Sequence, residues 1–367
     1  MPDAPSPQPL AVEIRTPARL HLGMLSFGVP GVRSFGGVGV MVDRPGVVLR
    51  ARRANRLEAR GPLAERVVAF ARAAMEAWQL GNVGCGFEVV AVPPSHAGLG
   101  SGTQLGLAVA AALRHLHSPP AAEPPGVPHP HDVPPDPASQ EWVFDVPDTI
   151  ELARATGRGR RSCVGVYGFS RGGLILEAGR LPDKPAGERG PAERTAAPAA
   201  EFSPMLARAR LPAAWRCVVI TARDSAGLHG EAERAAFQRL PPVSAEVTAE
   251  LSRVALLELL PAAVEGRFAE FAAAVRTYGE LAGRPFEEVS ATLPHAAATA
   301  QLLELLDELG LTGCAQSSWG PTVMACCPSL QAAGDLAEAL DRLGIARHHE
   351  IVIARFDTQG AVLREIE

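Results

Sequence analysis

The residues of this chain best suited to chemistry lie in Pro93–Gln104: Pro-Pro-Ser-His-Ala-Gly-Leu-Gly-Ser-Gly-Thr-Gln. Gly98, Gly100 and Gly102 place three glycines in five positions, and a backbone without Cβ atoms can approach an anion closely. An apolar run from Phe87 to Val92 precedes the loop and reads as a strand. Leu105 to Leu116 follows it, with apolar residues at 105, 109, 112, 113 and 116 on one helical face. The unpaired N–H groups and the dipole at a helix start favour negative charge. Ser101 and Thr103 add hydroxyls suited to a phosphate or to a hydrated magnesium ion. Gly98, Leu99, Gly100, Ser101, Gly102, Thr103 and Gln104 are therefore expected to hold phosphate near Thr103. A plain tight turn would show the same local pattern, and the loop is neither a Walker A motif nor a GxGxxG fingerprint.

Four further constellations are polar. Arg19 and His21 are two apart after the first strand, so an extended backbone puts them on one face, suited to an anion and to proton transfer. Arg158, Arg160 and Arg161, followed by Ser162, pack three guanidiniums into four residues flanked by glycine, a pattern that can converge on phosphate or carboxylate. His229 before Gly230-Glu231 suits a general base or a surface loop. Gln316, Ser317, Ser318 and Trp319 form a polar turn between apolar segments and are expected to face substrate. Against each stands a bland alternative: a solvated arginine, a satisfied histidine or an exposed charged turn. Ser34–Gly39 and Arg171–Gly173 are glycine clusters that permit tight turns or close packing.

These groups need a scaffold. Leu10–Thr16 and Pro45–Arg52 read as strands, and Ala64–Leu80 as an amphipathic helix with Val67, Phe70, Ala71, Ala74 and Trp78 inward. Prolines at 119, 120, 124, 125, 128, 130, 134, 135 and 137 forbid regular structure, so 118–146 reads as an exposed insertion. Residues 181–198 read as a loop or boundary. The remainder reads as a strand at 214–221, helices at 245–260, 267–281 and 296–309, a strand at 321–327, a helix at 330–343 and a strand at 350–356. Strands mixed with helices, without strict alternation, predict an α+β fold.

Composition sets bounds. At 367 residues the chain is long enough for two domains. A net charge of -5 gives no reason to expect nucleic acid or a membrane surface as partner. Cysteines 85, 163, 217, 314, 326 and 327 form no CxxC pair, which argues for reduced thiols in a cytoplasm rather than zinc or disulfides. His115, His117, His129 and His131 lack a completing Cys or acidic set, so no metal centre is expected there. Met1–Pro9 reads as a loose tail without the features of a signal peptide.

Taken together, the motifs resemble the GHMP kinase superfamily. Pro17–Gly23, Pro94–Thr103 and Gly313–Pro321 stand where that family has its N-terminal segment, phosphate loop and C-terminal glycine-rich turn. The resemblance implies a domain like the second domain of ribosomal protein S5 over 10–180, a linker over 181–200 and a ferredoxin-like domain over 201–367. The kinases carry a Ser-Gly-x-Asp segment before a Gly-Gly pair. Here Ser162-Cys163-Val164-Gly165 precedes Gly172-Gly173, so Gly165 replaces the Asp that activates the substrate hydroxyl. Arg19 replaces the Lys of mevalonate-type kinases, and Gly102 the second Ser of the loop.

Residues 17–23, 98–104, 157–162 and 316–322 resemble motifs of one branch, the beta-ribofuranosylaminobenzene 5'-phosphate synthases. That resemblance implies a pentosyltransferase joining phosphoribosyl pyrophosphate to 4-aminobenzoate or 4-hydroxybenzoate with loss of pyrophosphate and carbon dioxide. The step belongs to tetrahydromethanopterin synthesis. Magnesium is the expected ion, no organic cofactor is expected, and a homodimer is compatible with the family. In this scheme Arg19 and His21 are the catalytic pair. The glycine loop, Arg158, Arg160, Arg161 and Ser162 take pyrophosphate. His229 and Gln316–Trp319 contact substrate, and Ser101 and Thr103 contact the metal. The alternatives are a small-molecule kinase that uses another base, and a non-catalytic binding protein whose insertion is the working part.

Overall fold

A computed structural model of the chain describes residues 11–117, 141–181 and 202–366, except 224, 226, 228 and 229. The strands are β1 (Ala11–Met24), β2 (Gly37–Arg53), β3 (Glu58–Arg60), β4 (Cys85–Ala91), β5 (Glu141–Val143), β6 (Leu174–Glu177), β7 (Met205–Ala209), β8 (Arg216–Ala222), β9 (Cys314–Gln316), β10 (Thr322–Cys327), β11 (His349–Arg355) and β12 (Val362–Glu365). One eight-stranded sheet runs β3-β4-β2-β1-β12-β5, with β6 paired to β2 and β7 to β6. A second, four-stranded antiparallel sheet runs β11-β8-β10-β9. Among the described residues no helix is long and apolar enough to cross a membrane.

The helices that matter for the site are α1 (Ala64–Ala77), α2 (Ser101–His117), α3 (Val146–Ala155), α4 (Val164–Arg171), α5 (Gly230–Arg239), α6 (Ala245–Val254), α7 (Phe268–Gly283), α8 (Ala296–Glu308) and α9 (Leu330–Arg342). The expected helix over 245–260 is α6 followed by a π-helical turn, Ala255–Leu259, and a short continuation, Leu260–Glu265. Asp145 starts α3 by accepting from the Asp148 N–H at 2.7 Å, a side-chain cap of ordinary geometry.

The first two strands are longer than their local sequence suggests. Strand β1 continues through Pro17 to Met24, and β2 begins at Gly37. Thr16 pairs with Val47, but Ala18 pairs with Val42, so residues 43–46 leave the ladder. Both Pro17 and Pro45 fall at this slip, where a missing backbone donor costs no ladder bond. The slip also changes what β1 covers. Val12 and Ile14 join a core with Phe70, Val109 and Phe169, beneath α1, α2 and α4. Leu20 and Leu22 join a second core with Val40, Cys217, Phe271, Tyr278 and Met324, which ties the two sheets together. A third core, including Val218, Ile220, Leu306 and Leu340, packs α8 and α9 on the small sheet.

Two expected boundaries need correction. The resemblance implies a linker at 181–200 with a separate domain after it, yet β7 and β12 from the later part complete the first sheet. Pairing Ile14 with Leu363 covers the edge of β1 and buries Leu363. The insertion was expected over 118–146. Residues 118–140, with His129 and His131, lie outside the described residues, but Glu141–Val143 pairs with β12 and Val146 opens α3. The expected tail and most of the linker also lie outside the described residues. All six cysteines are buried and unbonded.

Candidate active site

Arg19 and His21 alternate with Ala18, Leu20 and Leu22, whose side chains fill the second core. The strand period of two therefore sends the Arg19 and His21 side chains to the opposite face, where both line a large cavity. The Arg19 N–H donates to the Leu99 carbonyl at 3.0 Å, which joins β1 to the glycine loop. The His21 N–H donates to Ser317 Oγ at 2.9 Å, and the His21 carbonyl accepts from the Ser318 N–H at 2.9 Å. Burial, and then the charge of Arg19, pull the His21 imidazole down to about 3. Its Nε2 is buried and makes no hydrogen bond within the described protein. His21 is thus neutral at physiological pH. It can offer one hydrogen bond to a ligand but adds no positive charge and is a poor proton acceptor.

The glycine loop turns on two positive backbone angles, φ 85° at Gly98 and 69° at Gly100. A Cβ on Gly98 would lie 2.3 Å from the Ser317 carbonyl oxygen, and one on Gly100 would lie 3.0 Å from Arg19 Cβ. The loop delivers α2 with no acidic residue in its first turn, so its positive end is left for an anion. Leu99 is fully packed in the second core and reaches the cavity only as part of the loop.

The arginine loop stands beside α2. Gly157 and Gly159 take φ 64° and 76°, and the Arg158 N–H donates to the Ala153 carbonyl at 2.7 Å. Glu177, fully buried at the end of β6, accepts from the Cys163 N–H at 2.8 Å and so fixes the far end of the loop. Arg180 donates to the Arg160 carbonyl. Burial, then Arg66 and Arg160, depress the basicity of Arg158. Arg66 enters from α1; a Cβ on Gly102 would meet its Nη2 at 2.7 Å and Arg158 Nη1 at 3.7 Å. Both Arg66 and Arg158 lie over the Phe70 ring, at 5.8 and 5.1 Å from its centroid. Guanidiniums held this close repel one another, and a polyanion at the start of α2 would relieve that repulsion.

These segments enclose a cavity of about 1390 Å³. Of the expected residues, Arg19, His21, Gly98–Thr103, Arg158, Arg160, Arg161, Ser162, Gln316, Ser318 and Trp319 line it. Gln104 does not: its Nε2 donates to the Gly165 carbonyl at 2.7 Å and the side chain is fully buried. Ser317 does not either, because its hydroxyl is spent between His21 and Gly98. His229 lies outside the described residues. Among the described lining residues the acids are Glu280 and Asp307, both paired with Arg276, at 2.7 Å and 2.6 Å.

Sequence reasoning missed Arg66, Arg154, Glu177 and the partners of Trp319 in an aromatic wall, Phe35, Phe237 and Phe286. Arg66 sits on a helix surface where an arginine gives no signal. The aromatic residues come from separate segments: Trp319 is expected from its polar turn, Phe35 sits in a glycine cluster that reads as a tight turn, and Phe237 and Phe286 give no local signal.

Gly165 lies at the start of α4, and a Cβ there would sit 3.6 Å from Gln104 Nε2 and Thr103 Cγ2. The position of the absent kinase carboxylate therefore borders the glycine loop. Among the described residues no group of three His, Cys, Asp or Glu side chains could hold a metal ion.

Comparison with known proteins gives the family and fold this chain is similar to. The family profile "GHMP kinases C terminal" matches residues 259–346. Beta-ribofuranosylphenol 5'-phosphate synthase of Archaeoglobus fulgidus is 29% identical over 314 residues, 86% of this chain and 87% of that protein. The protein of the same name from Methanothermobacter thermautotrophicus is 27% identical over 322 residues, 84% of this chain and 87% of its own. Among solved structures, homoserine kinase of Cytophaga hutchinsonii aligns with a TM-score of 0.60 at 15% identity, over 98% of both chains. Mevalonate pyrophosphate decarboxylase of Streptococcus pyogenes aligns at 0.60 and 11% identity, over 96% of this chain and 98% of that one. At such identities the structural likeness establishes the α+β fold.

Proposed function

We infer the reaction of this chain from its membership of the GHMP kinase superfamily, in the branch of the beta-ribofuranosylphenol 5'-phosphate synthases, which makes it an enzyme of the pentosyltransferase type. The reading is a decarboxylating transfer from phosphoribosyl pyrophosphate to a 4-substituted benzoate. The relatives are named for a ribofuranosylphenol, which favours 4-hydroxybenzoate over 4-aminobenzoate. One observation carries it: Arg66 and Arg158 meet beside Gly102 at the open start of α2, Arg160 and Arg161 line the same cavity, and glycine stands where the kinases have their carboxylate.

The pyrophosphate takes the glycine loop and the arginines, which stabilise the charge that grows as the C1′–O bond breaks. The ring carbon that bears the carboxylate attacks C1′ as that bond opens, so the two substrates must be closely aligned. The C–C bond to the carboxylate then breaks, its electron pair returns to the ring, and carbon dioxide leaves. Arg19 and His21 border the path between loop and turn. Arg19 orients an anionic group, and neutral His21 offers a hydrogen bond without trapping the carboxylate in a salt bridge.

The donor set suits a magnesium ion carried in by the pyrophosphate rather than one held by protein carboxylates. Ser101 and Thr103 would hold it, and it would supply further charge neutralisation to the leaving pyrophosphate. The same reading puts the protein in the cytoplasm, at an early step of tetrahydromethanopterin synthesis. An ATP-dependent kinase is disfavoured by Gly165, which can neither take nor hold a proton.

The deciding assay mixes the protein with magnesium, phosphoribosyl pyrophosphate and carboxyl-labelled 4-hydroxybenzoate or 4-aminobenzoate. Labelled carbon dioxide that depends on phosphoribosyl pyrophosphate supports the reading and identifies the acceptor. No release from either acid by folded protein refutes it.

A further inference from the structure

We propose that Phe35, Phe237, Phe286 and Trp319 form the subsite for the acceptor's aromatic ring, at the border of the arginine pole. This rests on the transferase reading above. All four line the same cavity. Phe237 stacks on Trp319 with centroids 4.9 Å apart, and Phe286 meets Trp319 edge-on at 5.5 Å. Phe35 meets Phe237 edge-on at 5.8 Å. Arg161 joins the two poles, its guanidinium 5.1 Å from the Phe237 centroid.

The placement of Phe35 is held against a backbone cost. Its φ is 69°, a left-handed angle that a bulky residue adopts at an expense on the order of 1–3 kcal/mol. The turn is clamped on both sides. Ser34 bridges to Arg180, and Cβ atoms on Gly36 and Gly37 would lie 2.5 Å from the Ala178 carbonyl carbon and 2.2 Å from the Gly23 oxygen. Ser318, immediately before Trp319, also has a positive φ, 56°. Two strained turns thus carry aromatic side chains to one wall.

A polyanionic sugar phosphate gains nothing from ring surface, whereas a planar aromatic acid does. Its ring packs by offset or edge contacts. Its carboxylate, set against apolar rings, is destabilised relative to neutral carbon dioxide.

The test uses Phe237→Leu and Phe286→Leu, which keep apolar bulk, and Phe144→Leu in the first core as an aromatic loss away from the cavity. Calorimetry with saturating pyrophosphate and magnesium gives the affinity for 4-hydroxybenzoate, and a separate titration gives that for phosphoribosyl pyrophosphate. The expected result is a loss of about tenfold in benzoate affinity in both cavity variants. Their phosphoribosyl pyrophosphate affinity and the Phe144→Leu protein should be unchanged. Unchanged benzoate affinity in the two folded cavity variants overturns the subsite, as does an equal loss for both ligands. ATP binding to the wild type, lost in the same variants where benzoate never bound, assigns the wall to a purine and overturns it too. Benzoate binding that fails in the variants, from a wild type that releases no carbon dioxide, sustains the subsite and refutes the transferase reading alone.

Discussion

The Ser317 hydroxyl donates to the Gly98 carbonyl at 2.7 Å, across 219 residues of chain. The same oxygen accepts from the His21 N–H at 2.9 Å. One buried hydroxyl thus joins the glycine loop, the first strand and the C-terminal turn, the three motifs that carry the family resemblance. Ser317→Ala leaves a buried acceptor and a buried donor without their partner, at a cost of about 2 kcal/mol. Urea unfolding should show that loss. Calorimetry should show phosphoribosyl pyrophosphate bound about fivefold more weakly, since the loop loses its tie. Unaltered stability and affinity would mean that the three motifs hold together without it.

Gly100 has no room and no permissive angle. Its φ is 69°, and an added Cβ meets Arg19 Cβ at 3.0 Å. Gly100→Val is expected to abolish phosphoribosyl pyrophosphate binding in a protein that still folds by circular dichroism. Gly31→Ala is the matched control, because Gly31 has φ 74° and open space around its would-be Cβ. It should bear the backbone strain and bind normally.

Burial pushes Glu177 up to about 7, against hydrogen bonds from the Ser162 hydroxyl, the Cys163 N–H, the Ser203 hydroxyl and the Val164 N–H. The sign follows from linkage. The folded value lies above the unfolded one, so the contribution to stability is complete below the unfolded value of 4.5 and is lost as pH rises through about 7. The loss reaches on the order of 3 kcal/mol above that point. Glu177→Gln keeps an acceptor for Cys163 and removes the ionisation. Its stability relative to wild type should rise between pH 5 and pH 8, read from urea midpoints. A gap that does not change with pH would show that Glu177 does not titrate in this range.

Gly165→Asp restores the carboxylate that the kinases use, and an added Cβ there meets its nearest neighbours at 3.6 Å, an ordinary contact. A negative charge beside Thr103 should weaken phosphoribosyl pyrophosphate by about tenfold or more. An ATP-consumption assay on small alcohols should stay at background. Binding unchanged by the new charge would move the pyrophosphate away from the start of α2.

The chain itself announced its fold class and much of the glycine and arginine lining of the cavity, because those signals are local. Gly98, Gly100 and Gly102 lie within five residues, Arg158, Arg160 and Arg161 within four, and a glycine loop before a helix states its own geometry. The alternation that puts Arg19 and His21 on one face needed only the strand period. Tertiary structure decided what local pattern cannot carry. It let β1 run through Pro17, because Pro45 on its partner opens the ladder at the same level. It returned β12 to the first sheet, where Leu363 covers β1. It turned Ser317 and Gln104 inward, since their hydrogen bonds reach Gly98 and Gly165 from far along the chain. It brought Arg66 to the loop and gathered Phe35, Phe237, Phe286 and Trp319 into one wall. Spacing records which residues share a face; only packing records which faces meet.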